Sequence, residues 1–325
     1  MRSRGLEIAI ELSRFGRRAR RPTVVELGRL TELRAEYDEL AKSNRLPGTN
    51  GENARAVRSE RNEQIGIDAA GYEPALAGGV SAEWVKGPQA NDSGAVLYLH
   101  GGCYGMGSVE THRELMTRIA IAAGTAVIGI NYRLAPANPF PAAVQDATAA
   151  YRWLLEEGIE ARRIVIAGDS AGAGLAIATT LKMRDEGAAL PAALVCISPW
   201  VDLAVTGESM ESKAAEDPIV SRAMLLGWAK LYLGNHDPCT PLASPLYAHL
   251  RGLPPMLIQV GSAEVLLDDA ARLAERASAA GVEARLEVWP EMIHVWHSFA
   301  AVLAEGREAI EGIGRFVRER LSTRD

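Results

Sequence analysis

Short apolar runs and helix-period segments alternate along most of this chain. Runs of strand character, rich in Val, Ile and Leu, lie at 95–99, 126–130, 164–167, 194–198, 256–260 and 285–288. Segments of helical spacing lie at 112–123, 142–157, 171–185, 268–280 and 308–321. Strands buried on both faces read as continuous apolar runs, and alternation with helices builds βαβ units. The pattern therefore predicts a mainly parallel central sheet flanked by helices. Ahead of it, strand-like runs within 65–86 surround Gly78-Gly79 and predict an antiparallel hairpin. Leu30, Leu33, Tyr37 and Leu40 recur at helical spacing in the first 45 residues. A breaker at Leu46-Pro47-Gly48 and a polar run to Glu63 follow as a loop. One connection departs from the rhythm: 201–253 separates two strands, with a helix expected near 221–233. Connections of that length usually serve as a lid or a pocket wall.

Composition narrows the class. With 325 residues, 48% hydrophobic and 23% charged, the chain can bury a large core, as one α/β domain with additions or as two domains. A net charge of −6 argues against a nucleic-acid-binding surface over the whole chain. The basic segment 14–21 lacks a single apolar stripe and reads as the solvated face of a terminal helix. The three cysteines, Cys103, Cys196 and Cys239, are too scattered for a disulfide framework or a thiolate metal site. No apolar run approaches the roughly 18 residues of a membrane helix. The apolar patch at 6–10 is interrupted by Glu7 and too short for a signal peptide, so a cytoplasmic location is expected.

The stretch Gly168-Asp169-Ser170-Ala171-Gly172 follows a predicted strand and opens a predicted helix. A Ser in such a Gly-x-Ser-x-Gly turn sits on a tight strand-to-helix bend, with the helix amides behind it. A Ser hydroxyl needs a base to become a nucleophile. Of six histidines, His294 lies just past the last predicted strand, where a loop would present it, and His297 is the alternative. The base in turn needs a carboxylate to fix its tautomer. Glu264 stands in the loop after the strand at 256–260, and Asp268 and Asp269 suit the cap and first turn of the next helix. Upstream, His100-Gly101-Gly102-Cys103-Tyr104 ends another strand in a Gly pair whose turn amides can form an anion site. His100 reads as an anchor of that loop.

His-Gly-Gly-x-Tyr at 100–104, Gly-Asp-Ser-Ala-Gly at 168–172 and the His294 segment together resemble the bacterial hormone-sensitive-lipase family of esterases. Tyr132-Arg133-Leu134-Ala135-Pro136, Pro139-Phe140-Pro141 and Ser198-Pro199-Trp200 extend the likeness. The resemblance implies an α/β-hydrolase fold with a helical cap. On that plan residues 1–64 form an N-terminal cap segment and loop, and 65–325 form the catalytic domain with a cap insertion at about 201–253. It implies Ser170 as nucleophile, Glu264 as acid, His294 as base, and oxyanion donors among Gly101, Gly102, Cys103 and Ala171. It also implies a serine carboxylesterase acting on short-chain acyl esters through an acyl-enzyme, with lactones or acetylated aromatic and terpenoid esters among the candidate substrates. Neither a cofactor nor a metal is implied. The partner is a small-molecule ester, and relatives often form homodimers. Cys103 stands where the family usually has a third Gly, and Glu264 where most members have Asp. With its thiol expected to line the site, Cys103 should make the enzyme sensitive to bulky thiol reagents. An amidase or deacetylase shares the triad, and the sequence does not separate it from an esterase. A ligand receptor on the same fold would lack the base that His294 supplies.

Overall fold

The computed structural model describes residues 67–322 apart from 302; the expected helical segment and loop at 1–64 lie outside the described residues. Eight strands form one sheet in the order β1-β2-β4-β3-β5-β6-β7-β8. Strands β1 (Gly71–Ala77) and β2 (Val80–Lys86) make the expected hairpin, turned by Gly78 and Gly79 with φ of 59° and 86°. Both turn residues need left-handed backbone, which glycine adopts without strain. Pro74 is tolerated in β1 because that strand is the sheet edge and needs no second set of partners. β2 also pairs antiparallel with β4 (Thr125–Ile130); the pairs formed by β4, β3 (Asn91–Leu99), β5 (Ile164–Asp169), β6 (Ala193–Ile197), β7 (Met256–Gly261) and β8 (Ala284–Trp289) are parallel.

Alternate residues of these strands feed two apolar layers. Val96, Tyr98, Val165 and Ala167 pack under α1 (Val109–Ala123) and α7 (Ala304–Ser322). Leu97, Leu99, Ile164 and Ile166 pack under α2 (Ala142–Glu156), α3 (Ala171–Asp185) and α6 (Leu267–Ala279). Burial on both faces is why the central strands carry no polar alternation. Helix α1 begins three residues before the expected start, because Ser108 and Thr111 exchange side-chain and backbone hydrogen bonds in a capping box. Helix α3 is buried along nearly its whole length, which explains why its Ala- and Gly-rich sequence shows no polar face. Its Thr179 and Thr180 hydroxyls donate to the carbonyls one turn back, so neither is left unsatisfied.

The long connection contributes a short helix α4 (Ser209–Ser212), then α5 (Arg222–Leu233) with Ser221 capping Met224, and a 3-10 turn at Pro245–Tyr247. One topological feature places the chemistry. From β3 the chain leaves towards β4, whereas from the adjacent β5 it leaves towards β6. Such a switch point opens a crevice at the carboxyl ends of the two strands. Leu99 pairs with Gly168 in register, so the Gly loop and the Gly-x-Ser-x-Gly turn emerge side by side.

Candidate active site

Ser170 sits between β5 and α3 with φ 53° and ψ −120°, a conformation few L-residues adopt. Such backbone costs roughly 1–3 kcal/mol and persists only where the surroundings over-determine it. Here they do. The Ser170 amide donates to the Ile197 carbonyl at 2.8 Å, and its carbonyl accepts from Trp200 N at 3.0 Å. A Cβ on Gly168 would stand 2.5 Å from the Gly172 backbone, and one on Gly172 would collide with the Leu99 carbonyl. The turn therefore closes only with glycine at both ends.

Asp169 ties this turn to the Gly loop. Its Oδ1 accepts from the Gly101 amide at 3.0 Å and from Tyr98 OH at 2.7 Å, while His112 Nε2 approaches Oδ2 at 3.4 Å. Burial works against its charge, but His112 and Tyr98 outweigh burial and bring the carboxyl down to about 2. The Gly101 amide is thus already engaged, which removes Gly101 from the expected oxyanion donors. Beyond it, Gly102, Cys103 and Tyr104 have φ of 109°, 54° and 57°. Among the described residues none accepts a hydrogen bond from the amides of Gly102, Cys103 or Ala171. Two of these belong to the loop and the third is the first amide of α3, so three donors remain open beside Ser170.

His100 anchors the loop, as expected. Its Nδ1 lies 2.7 Å from the Gly101 carbonyl, and its ring stacks on Tyr132 at 4.2 Å. Burial, with His112 nearby, pushes it down to about 3 and keeps it neutral. Tyr132 OH donates to the His100 carbonyl at 2.7 Å, and Arg133 grips Asp146 through both its guanidinium and its amide. These bonds account for the Tyr-Arg pair that the sequence singles out. Cys103 departs from expectation: burial hides its side chain and pushes the thiol up to about 12. A protonated, enclosed thiol does not react with bulky reagents.

Glu264 and His294 meet. His294 Nδ1 donates to Glu264 Oε2 at 2.8 Å, and Oε1 accepts from Ser198 Oγ at 2.7 Å and Gly261 N at 2.6 Å. The two supporting loops are closely packed: a Cβ on Gly261 would collide with the Met292 carbonyl, and Ala263 N donates to that carbonyl at 3.1 Å. Glu264 is fully buried and His294 nearly so. Burial lowers the His294 pKa, but the Glu264 hydrogen bond and charge, with help from Asp217 and Asp169, leave it raised overall. Nδ1 is committed to the carboxylate, so Nε2 is the nitrogen left for proton transfer. The last residue of β6 and the three that follow it join this pair to Ser170. Ile197 and Trp200 hold the Ser170 backbone, and Ser198 between them reaches Glu264 and accepts from Val295 N at 3.1 Å.

The alternatives occupy other places. His297 Nε2 lies 2.8 Å from Gln259 Oε1, and burial pushes its pKa down to about 3. It is a neutral core histidine. Asp268 and Asp269 stand in the first turn of α6, as expected, but neither caps it, since its N-terminus carries no side-chain cap. They hold the insertion instead: Asp268 accepts from Ser209 N, and Asp269 accepts from Val201 N and Asp202 N. Two residues with a bearing on the site escaped the sequence reading, Ser198 and Asp217. Asp217 accepts from Ile219, Val220 and Val265 amides and supports the His294 charge. Ser198 had a signal in the Ser-Pro-Trp segment; Asp217 had none. Among the described residues no cluster of His, Cys, Asp and Glu is suited to a metal ion.

A family model described as an alpha/beta hydrolase fold matches residues 96–298. An acetyl-hydrolase of Streptomyces hygroscopicus is 53% identical over 241 residues, 74% of this chain and 80% of that protein. An esterase of Acinetobacter venetianus is 37% identical over 244 residues, 75% of this chain and 80% of that protein. A crystal structure of an esterase from the bacterial hormone-sensitive lipase family is 44% identical, with a TM-score of 0.81 over 99% of this chain and 100% of that one. A hormone-sensitive lipase from a metagenome library gives 37% and 0.81, over 98% of both chains. Identity at that level across nearly the whole fold means that the chain belongs to the bacterial hormone-sensitive-lipase family of α/β-hydrolases.

Proposed function

We propose that this protein is a serine carboxylesterase that cleaves short-chain acyl esters, acetates foremost, through an acyl-enzyme. The observation that carries the reading is the buried Glu264–His294 hydrogen bond, tied through residues 197–200 to the backbone of a strained Ser170 at the sheet's switch point. The likeness to an acetyl-hydrolase supports the short acyl group.

Ser170 Oγ attacks the ester carbonyl carbon and its proton passes to His294 Nε2. The carbonyl oxygen becomes an oxyanion facing the amides of Gly102, Cys103 and Ala171; each such donor is worth roughly 10²–10³ in rate. Glu264 stabilises the imidazolium without taking its proton. Collapse expels the alcohol, which leaves with the proton from His294, and the acyl group stays on Ser170. Water then attacks, gives its proton to His294, and a second collapse releases the carboxylic acid and returns the proton to Ser170. A paired, buried base sets this reading apart from that of a ligand receptor.

The insertion 201–253 is read as the acyl-side wall. In support, Tyr232 on α5 stacks on Tyr104 at 3.9 Å, and Trp228 lies directly against Gly105. The three free cysteines, two of them buried, support a reducing, cytoplasmic setting. Among the described residues no helix is long and apolar enough to cross a membrane. The free edge of β8, with Val288 exposed, supports a homodimer, which light scattering would test. The function itself is tested by p-nitrophenyl esters of rising chain length, with Ser170→Ala as blank. Acetate and butyrate should turn over and long acyl esters should not; equal rates in wild type and Ser170→Ala would refute it.

A further inference from the structure

A glutamate beside a histidine has a loosely defined terminal torsion, so hydrogen bonds must fix which oxygen faces the imidazole. At Glu264 two donors converge on Oε1, the Gly261 amide and the Ser198 hydroxyl, leaving Oε2 for His294 Nδ1. Besides His294, Ser198 is the one side chain among the described residues that hydrogen-bonds this carboxylate. Its oxygen does a second thing. It accepts from the amide of Val295, the residue after His294. The bonds therefore close a ring: Ser198 Oγ to Glu264, Glu264 to the His294 imidazole, and the Val295 amide back to Ser198 Oγ. Because a carboxylate only accepts and an amide only donates, the direction of the serine hydroxyl is fully determined.

The backbone gives an independent sign. Ser198 has φ 45° and is fully buried at the end of β6. Glycine adopts that conformation without strain, and serine does not. Nothing in the turn geometry calls for serine, and the hydroxyl is the part with partners.

We propose that Ser198 is a positioning residue for the acid–base pair, locking the Glu264 carboxylate and holding the His294 segment against it. This rests on the reading of Glu264 and His294 given above. Without the hydroxyl, Oε1 keeps one donor, the Val295 amide loses its acceptor, and the carboxylate can turn away from Nδ1. The charged groups acting on His294 are Glu264, Asp217 and Asp169, and of these Glu264 alone is bonded to Ser198.

The test is a cycle of Ser198→Ala and Ser198→Gly, each in wild-type and Glu264→Gln enzyme, assayed with p-nitrophenyl acetate across pH and by thermal melting. Misplacing a reacting group by about 1 Å costs up to about 10²-fold, so kcat should fall roughly 10- to 100-fold with KM within about twofold. The acid limb of kcat/KM should move to lower pH, because His294 loses part of the carboxylate's support. In Glu264→Gln the same substitutions should cost less than about twofold, since groups acting as a unit are not additive. Ser198→Gly should melt no lower than Ser198→Ala and stay equally slow. A kcat close to wild type, an unmoved acid limb, turnover restored by glycine, or an undiminished loss in Glu264→Gln would each overturn the proposal. If Glu264→Gln itself kept wild-type turnover, the acid assignment would fail first, and the proposal with it.

Discussion

Glu264→Gln is the sharpest perturbation of the site, because the structure dictates how a glutamine must lie. The amide is nearly isosteric with the carboxylate but has one acceptor oxygen and one donor nitrogen in place of two acceptors. Oε1 now accepts from Gly261 N at 2.6 Å and from Ser198 Oγ at 2.7 Å, and Oε2 from His294 Nδ1 at 2.8 Å. If the amide nitrogen took the Oε1 position, it would face a backbone N–H at hydrogen-bond range. A buried donor left facing a donor costs about 1–3 kcal/mol. The oxygen therefore stays with Gly261 and Ser198, and the amide nitrogen faces His294. Nδ1 must then accept, which puts the proton on Nε2, the atom that in the proposed mechanism receives the Ser170 proton. A wrong tautomer of this kind costs about 10⁴ in kcat in the serine-protease template. We expect a loss of about 10³–10⁴ here, with KM little changed and a melting temperature close to wild type, since the volume and all three hydrogen bonds are kept, the one to His294 with its direction reversed. Steady-state kinetics on p-nitrophenyl acetate and a thermal melt suffice. Turnover within tenfold of wild type would refute the tautomer argument, and with it Glu264 as the acid.

Ser170→Ala should fold normally and lose about 10³-fold or more in turnover, as triad members act as a unit; an organophosphate should label Ser170 in wild type, and mass spectrometry reads the site. The His294 pKa is raised, and catalysis needs the neutral base, so kcat/KM should rise with pH through a midpoint above the ordinary histidine value; a midpoint below it would contradict the Glu264 pairing. Thiol reagents should modify Cys239, the exposed cysteine, and leave activity unchanged, because Cys103 and Cys196 are buried with thiols pushed up to about 12; peptide mapping beside a rate assay checks both halves. Asp269 is pushed up to about 8, by burial first and then by Asp202 against the Val201 and Asp202 amides. Its native form therefore holds the proton more tightly than the unfolded chain does. That contribution to stability is complete below the unfolded pKa of about 4 and is lost as pH rises through about 8. Asp269→Asn should thus melt near wild type at pH 5 and above it at pH 9, and a melting curve falling in parallel with wild type would sink the idea.

What the sequence made legible follows from how local each feature is. The Ser170 turn, the Gly loop and the Gly78-Gly79 hairpin are set by a few consecutive residues whose backbone demands restrict the residue types. They can be read in place, and the structure found each of them there. Asp268 and Asp269 stand in the first helical turn that the pattern predicts, but not as caps, although a carboxylate at the start of a helix is locally a cap. Their partners at 201, 202 and 209 are nearly sixty or more residues away in sequence, and no local pattern announces them. Gly101 was misread for a related reason: the Gly pair advertises open amides, while the acceptor that occupies one of them, Asp169, comes 68 residues later.

The same distinction bears on how the site would tolerate a glutamate as the proposed acid. The longer side chain brings one more torsion, and that freedom has to be removed by something outside the loop that carries it. Gly261 supplies one donor locally, three residues before Glu264. The second donor comes from Ser198, at the end of the neighbouring strand, and the same strand end holds the Ser170 backbone through Ile197 and Trp200. The proposed nucleophile, acid and base are thus all referred to one short segment, 197–200, to which the proposed mechanism gives no step. A displacement of that segment would move Ser170 and the Glu264–His294 pair together rather than apart. The substitutions that hurt most without touching substrate should therefore fall there, ahead of those in the loops that carry Glu264 and His294.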